Sequence, residues 1–148
     1  IDFVRTSESQ TERATILSAI ASNASPDIVT HLFKLSLGDD ISGNELFTVY
    51  RAALGNSEAQ PVIWPLVKEN FESIIRKVPA IRIPQSAGVA GNFCTAEGVA
   101  DAKTFFESKA DLIPGYERSP AQDVERGDLC SALKVAVTDD VNTLFSED

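Results

Sequence analysis

The 148-residue sequence has no methionine, one histidine, one tryptophan and two cysteines. A primary translation product begins with methionine, so the expectation is a piece cut from something longer. The single histidine, His31, rules out an HExxH zinc helix, which places two histidines one turn apart on the metal. No apolar run approaches the roughly 20 residues a helix needs to cross a bilayer, so no membrane span is expected. Residues Ile1 to Gln10 are mixed and polar, unlike an export leader. Phosphate-cradling loops of the GxxxxGKS and GxGxxG kinds are missing. So is a calcium loop, which needs regularly spaced oxygen ligands around a glycine. Basic residues number 13 against 22 acidic ones, for a net charge of -9, and no basic run exceeds two. A phosphate backbone requires clustered Lys and Arg, so no nucleic-acid partner is expected. The acidity itself reads as a solubility feature.

What is present is helical periodicity. The balance of 43% hydrophobic and 24% charged residues suits a soluble globular fold. Ala14, Leu17, Ile20 and Ala21 fall on one helix face. Ser25-Pro26 is a cap followed by a first-turn proline, and Ile28, Val29, Leu32, Phe33 and Leu35 make the next apolar stripe, which Gly38 stops. Ser42 and Glu45 have the spacing of a capping box ahead of Leu46, Phe47, Val49, Tyr50 and Leu54. A helix from about Val62 to Val78 follows, its start set by the cost of Pro65 deeper inside. A short helix is expected from about Pro84 to Gly91, and Thr95 caps another over Ala96–Ser108 with Val99, Ala102, Phe105 and Phe106 inward. Pro114-Gly115 is a turn. Ser119-Pro120 opens a last helix whose apolar residues include Val124, Leu129, Leu133 and Val137. Val141, Leu144 and Phe145 continue it or form a separate short helix. Only Ile81 to Ile83 hints at strand alternation. About seven helices joined by tight loops predict an all-α fold, with antiparallel helix pairs stacked as a curved, HEAT-like α-solenoid. Residues 1–148 are expected to form a single helical domain.

Candidate chemistry is sparse, and no catalytic or metal-binding residue is assigned. His31 sits among Val29, Leu32 and Phe33 without a second ligand or an orienting partner, so a structural or surface role is expected. Cys94 and Cys130 are too few for a structural zinc site and have no basic cluster to activate them. They are either two thiols, as in a cytosolic protein, or one disulfide, as in an exported or periplasmic one. The bridge would close a loop of about 36 residues and stabilise by about 3 kcal/mol. Asp39-Asp40 precedes the Ser42 helix, where negative charge is favourable, and Asp139-Asp140 is placed at a helix end. Trp64 and Phe71, seven apart, share a face and read as core, as does Phe105-Phe106.

Four blocks then carry a resemblance. Trp64-Pro65-Leu66-Val67-Lys68-Glu69-Asn70-Phe71 is similar to the W-x-x-[LV]-K-E-N-[WF] signature in the C-terminal helical domain of gluzincin zinc aminopeptidases of the puromycin-sensitive and aminopeptidase N type. Gly91-Asn92-Phe93-Cys94-Thr95 resembles that family's G-x-F-[CS]-[ST] step before a helix. Phe105-Phe106-Glu107 resembles its F-F-x motif. Glu117-Arg118-Ser119-Pro120-Ala121-Gln122-Asp123-Val124-Glu125 resembles the E-R-x-x-x-Q-x-x-E opening of its last helix. Order and spacing agree over roughly Thr11 to Leu133. Three departures stand out. Leu133 stands where many relatives carry Trp, Gly127 costs a helix about 1 kcal/mol relative to Ala, and Ser42-Gly43 replaces a common basic residue. The placement of the cysteines resembles bacterial members, some of which are exported.

The resemblance implies a non-catalytic domain that caps the active-site chamber and limits peptide access. It implies zinc and a general-base Glu in an earlier catalytic domain of the same chain, with no cofactor in these residues. The partners would be the N-terminal and catalytic domains and the peptide substrates, from which the parent removes N-terminal residues. Arg118, Gln122 and Glu125 share one helix face and are expected to form a structural polar network, with a substrate contact as the other reading. The alternative to the whole assignment is a stand-alone helical-repeat module for protein interaction. A small enzyme in its own right lacks the polar constellation it would need.

Overall fold

The computed structural model describes residues 7, 9–116 and 120–145. It is all-helical, with no strand among the described residues. The α-helices described are α1 (Gln10–Asn23), α2 (Pro26–Ser36), α3 (Gly43–Gly55), α4 (Gln60–Lys77), α5 (Ala96–Ser108) and α6 (Pro120–Phe145). Two 3-10 stretches, Ala80–Asn92 and Ala110–Leu112, lie on either side of α5. The backbone forms two compact units, Ile1–Ser86 and Ala87–Asp148.

In the first unit α1 packs on α3 and α2 on α4, and each helix also meets its neighbour in sequence. This is the pattern of helix pairs stacked as in helical-repeat folds. Leu17, Ala21, Val29, Leu32 and Phe33 fill the core with the α3 set Leu46, Phe47, Val49, Tyr50 and Leu54, all predicted inward. Ile28 is the exception: it is exposed, because it falls off the stripe that Val29, Leu32 and Phe33 define. The capping box is formed, with Ser42 Oγ accepting from Glu45 N–H at 3.3 Å and Ser42 N–H donating to Glu45 Oε2 at 2.8 Å. Gly43, next to it, is there for space. A Cβ would sit against the backbone carbonyl of Lys77, the last residue of α4. Lys77 in turn reaches the end of α2, its Nζ donating to Ser36 O at 3.0 Å and to Gly38 O. A cation there offsets the carbonyls a helix leaves unpaired at its C-terminus.

Helix α4 starts at Gln60 rather than near Val62, and Pro65 lies inside it. The reason is Asn56, a buried residue that builds the start from outside the helix. Its Oδ1 accepts from Glu58 and Ala59 N–H, both at 3.1 Å, and its Nδ2 donates to Ala21 O at 3.3 Å and Ala24 O at 3.0 Å. With the first turn held this way, the helix tolerates the single bond that Pro65 cannot donate.

In the second unit α5 packs on α6. Thr95 caps α5, its Oγ1 accepting from Gly98 N–H at 3.1 Å. Val99, Ala102 and Phe106 are buried, while Phe105 is half-buried. The segment predicted as a helix from Pro84 is a longer 3-10 stretch, and it also absorbs the strand-like Ile81–Ile83. Gly115 takes the left-handed φ of 75° in the predicted turn. Helix α6 is continuous through Asp139-Asp140 to Phe145, so these two acids are not at a helix end. Its apolar residues are largely uncovered: Leu129 and Leu133 are each 64% exposed, and Val135, Val137 and Val141 are exposed too. Periodicity defines a face, but burial depends on a neighbour to cover it.

Candidate functional site

The residues that mark the resemblance occupy two places. On α4, Trp64, Val67, Phe71 and Ile74 are buried on one face, at spacings of three, four and three residues. The Lys68 ammonium lies 5.4 Å from the Trp64 ring centroid, a cation held over an aromatic face. Asn70 Nδ2 donates to Leu66 O at 2.8 Å, one turn back on its own helix. Glu69 is exposed. The block therefore joins two core aromatics to a polar edge.

In the second unit the stretch from Gly88 to Cys94 runs against α6. A Cβ on Gly88 would meet the Asp123 carboxylate at 3.5 Å, and one on Gly91 would meet Asp123 O at 3.1 Å. Cys94 and Cys130 form a disulfide, with Cα atoms 5.0 Å apart, and no free cysteine remains. One turn before Cys130 lies Gly127, buried. A Cβ there would come within 2.7 Å of Val99 Cγ2, 3.2 Å of Phe93 O and 3.3 Å of Ala90 O. What looks in the sequence like a poor helix residue is the position that lets α6 approach. Phe93 is buried, and the Phe105 and Phe106 rings meet edge-on at 5.3 Å. Gln122 and Glu125 are exposed on α6, and Arg118 lies outside the described residues.

Both sulfurs are consumed in the disulfide, His31 is exposed, and no group of three or more His, Cys, Asp or Glu that could hold a metal exists among the described residues. Two polar features escaped the reading of the sequence. Arg13 Nε and Nη2 donate to Glu45 Oε1 at 2.6 Å and Oε2 at 3.2 Å, a bidentate pair that ties α1 to the capping box. Burial acts to raise the Glu45 carboxyl, but the bonds from Arg13 and Ser42 together hold it below its ordinary value. The partners are 32 residues apart, so no local motif announces them. The second feature surrounds Phe47. The Arg51 and Arg82 guanidinium carbons lie 5.9 and 5.7 Å from its ring centroid. Next to it on α3, buried Tyr50 donates to Ser86 O at 2.6 Å, and burial pushes its phenol well above the usual range.

Of the signature residues, Trp64, Phe71, Phe93 and Phe106 are buried among stacked helices. Residues 1–128 match the family model of the ERAP1-like C-terminal domain. The chain belongs to that family, in agreement with its resemblance to the C-terminal helical domain of gluzincin aminopeptidases. No curated protein matches the chain. No described helix is long and apolar enough to cross a membrane.

Proposed function

We propose that the chain serves as the C-terminal domain of a zinc-dependent aminopeptidase, capping the active-site chamber and limiting which peptides enter. The observation that carries this is the family match over residues 1–128. The local structure supports it, since Trp64 and Phe71 of the signature are buried in the helical core. In this reading zinc belongs to a catalytic domain elsewhere in the same polypeptide, where bound water becomes the nucleophile that releases N-terminal residues from peptides. The catalytic and N-terminal domains of that polypeptide are the partners of these helices. Covering the chamber would exclude water and select substrates by size. Residues 1–148 act as one domain of the parent in this reading, because the matched span includes residues of both compact units.

The test begins with the natural coding sequence around these residues, which is expected to encode HExxH in the same polypeptide. In that polypeptide, changes to the cap should alter the turnover of long peptides far more than that of a single-residue reporter. A coding sequence without a protease would end the reading in favour of the stand-alone interaction module. Equal effects on long and short substrates would remove the capping role.

A further inference from the structure

Phe47 seats two arginines that reach it from different elements. Arg51 lies one turn further along α3, and Arg82 comes from the 3-10 stretch that follows α4. Both side chains are exposed, and neither makes an ion pair with a described residue. In a chain with 22 acidic residues, two guanidiniums brought to one ring without a carboxylate are a local excess of positive charge. Each guanidinium adds to the attraction that an anion near this ring would feel.

The geometry is held in advance. Arg82 N–H donates to Pro79 O at 2.8 Å, and its Nη1 donates to Gln85 Oε1 at 3.3 Å. Ser86 Oγ closes on Ile83 O at 2.7 Å, and Tyr50 from α3 holds Ser86 O. The turn that carries Arg82 is thereby fastened to the helix that carries Arg51. Each guanidinium has five N–H donors; the described bonds engage Arg82 at one nitrogen, which leaves donors for a ligand. Beside Arg82, Ile81 is 80% exposed, the most exposed large apolar residue described. Arginine is among the residues that recognition surfaces are enriched in.

We propose that Arg51, Arg82 and Ile81 form a docking site for an acidic peptide segment. Its carboxylates are taken by the two guanidiniums, and an apolar neighbour covers Ile81. Charge complementarity selects this occupant. A guanidinium pair matches carboxylates, whereas the net charge of -9 opposes a polyanion as long as a nucleic acid. The inference stands on the first unit alone and does not require the aminopeptidase reading.

The experiment uses the 148-residue chain and fluorescence anisotropy. The probes are a labelled peptide of glutamates and leucines, its glutamine counterpart, and an oligothymidylate of equal length. The glutamate peptide is expected to bind and the other two to bind weakly or not at all. Arg51→Gln and Arg82→Gln should each weaken binding by about threefold or more, and added salt should weaken it further. Arg82→Lys should restore part of the loss, and Arg76→Gln, an exposed arginine at the end of α4, should change nothing. Both guanidinium sites are exposed, so the variants are expected to keep the parent's melting temperature. Equal binding of the glutamine peptide, tighter binding of the oligothymidylate, or binding that survives both substitutions would overturn the assignment.

Discussion

At the scale of single residues, Glu45 does two jobs with one carboxylate. It completes the capping box of α3 through Ser42 N–H and accepts two bonds from Arg13 on α1. Its folded pKa lies below the ordinary 4.5, because the hydrogen bonds outweigh burial. The sign follows from linkage. The carboxylate is favoured in the fold, so its contribution is complete above about pH 4.5 and is lost as pH falls through the lower, folded value. Glu45→Gln should therefore lower stability by about 2 kcal/mol at neutral pH, since an arginine pair and a cap are lost together. It should also flatten the acid limb of the stability curve. Urea titrations between pH 3 and 7 read both effects. A variant whose stability falls with acid as steeply as the parent's would show that some other carboxylate carries the dependence.

At the scale of elements, features made within a few residues of each other were legible in the sequence, and those made across the fold were not. The Ser42–Glu45 box, the Thr95 cap and the inward faces of α3 and α5 depend on spacings of three or four residues, which a sequence displays directly. The start of α4 did not follow from Pro65, because Asn56 organises it with carbonyls from the end of α1. The exposed stripe of α6 shows the same limit, since a period says which residues share a face but not whether anything lies against it. The Trp64 and Phe71 face was legible as core, but the arginines around Phe47 were not, because Arg82 arrives from another element. Gly127 is the sharpest case, since propensity and packing give opposite signs there. In an isolated helix Gly127→Ala would gain about 1 kcal/mol. Here the added Cβ meets a buried, stiff valine at 2.7 Å and two backbone carbonyls at 3.2 and 3.3 Å. Overpacking of this kind costs about 1–3 kcal/mol. The expected outcome is a net loss of about 1 kcal/mol with the disulfide intact, measured by calorimetry on the oxidised chain. A stabilised variant would mean that α6 moves away from Val99 without penalty.

At the scale of the whole molecule, acidity and ligand chemistry have to be kept apart. A chain with 22 acidic residues attracts cations weakly at many points, whereas a zinc site is a short-range arrangement of nitrogen, sulfur and oxygen donors around one ion. Here the two sulfurs are bonded to each other and His31 is exposed without companions, so the strongest zinc donors are spent or scattered. The two kinds of binding differ in a measurable way. A site specific to the fold raises stability with ligand concentration, by about 2.7 kcal/mol at a hundredfold excess over its dissociation constant. Diffuse attraction is screened by salt and gives no such increment. Micromolar zinc is therefore expected to leave the melting temperature of the oxidised chain unchanged in moderate salt. Under the same conditions an aminoacyl-coumarin reporter should stay intact. A zinc-dependent rise in melting temperature that survives added salt, or reporter cleavage that a chelator abolishes, would place the chemistry in these residues after all. It would remove the need for a catalytic domain elsewhere.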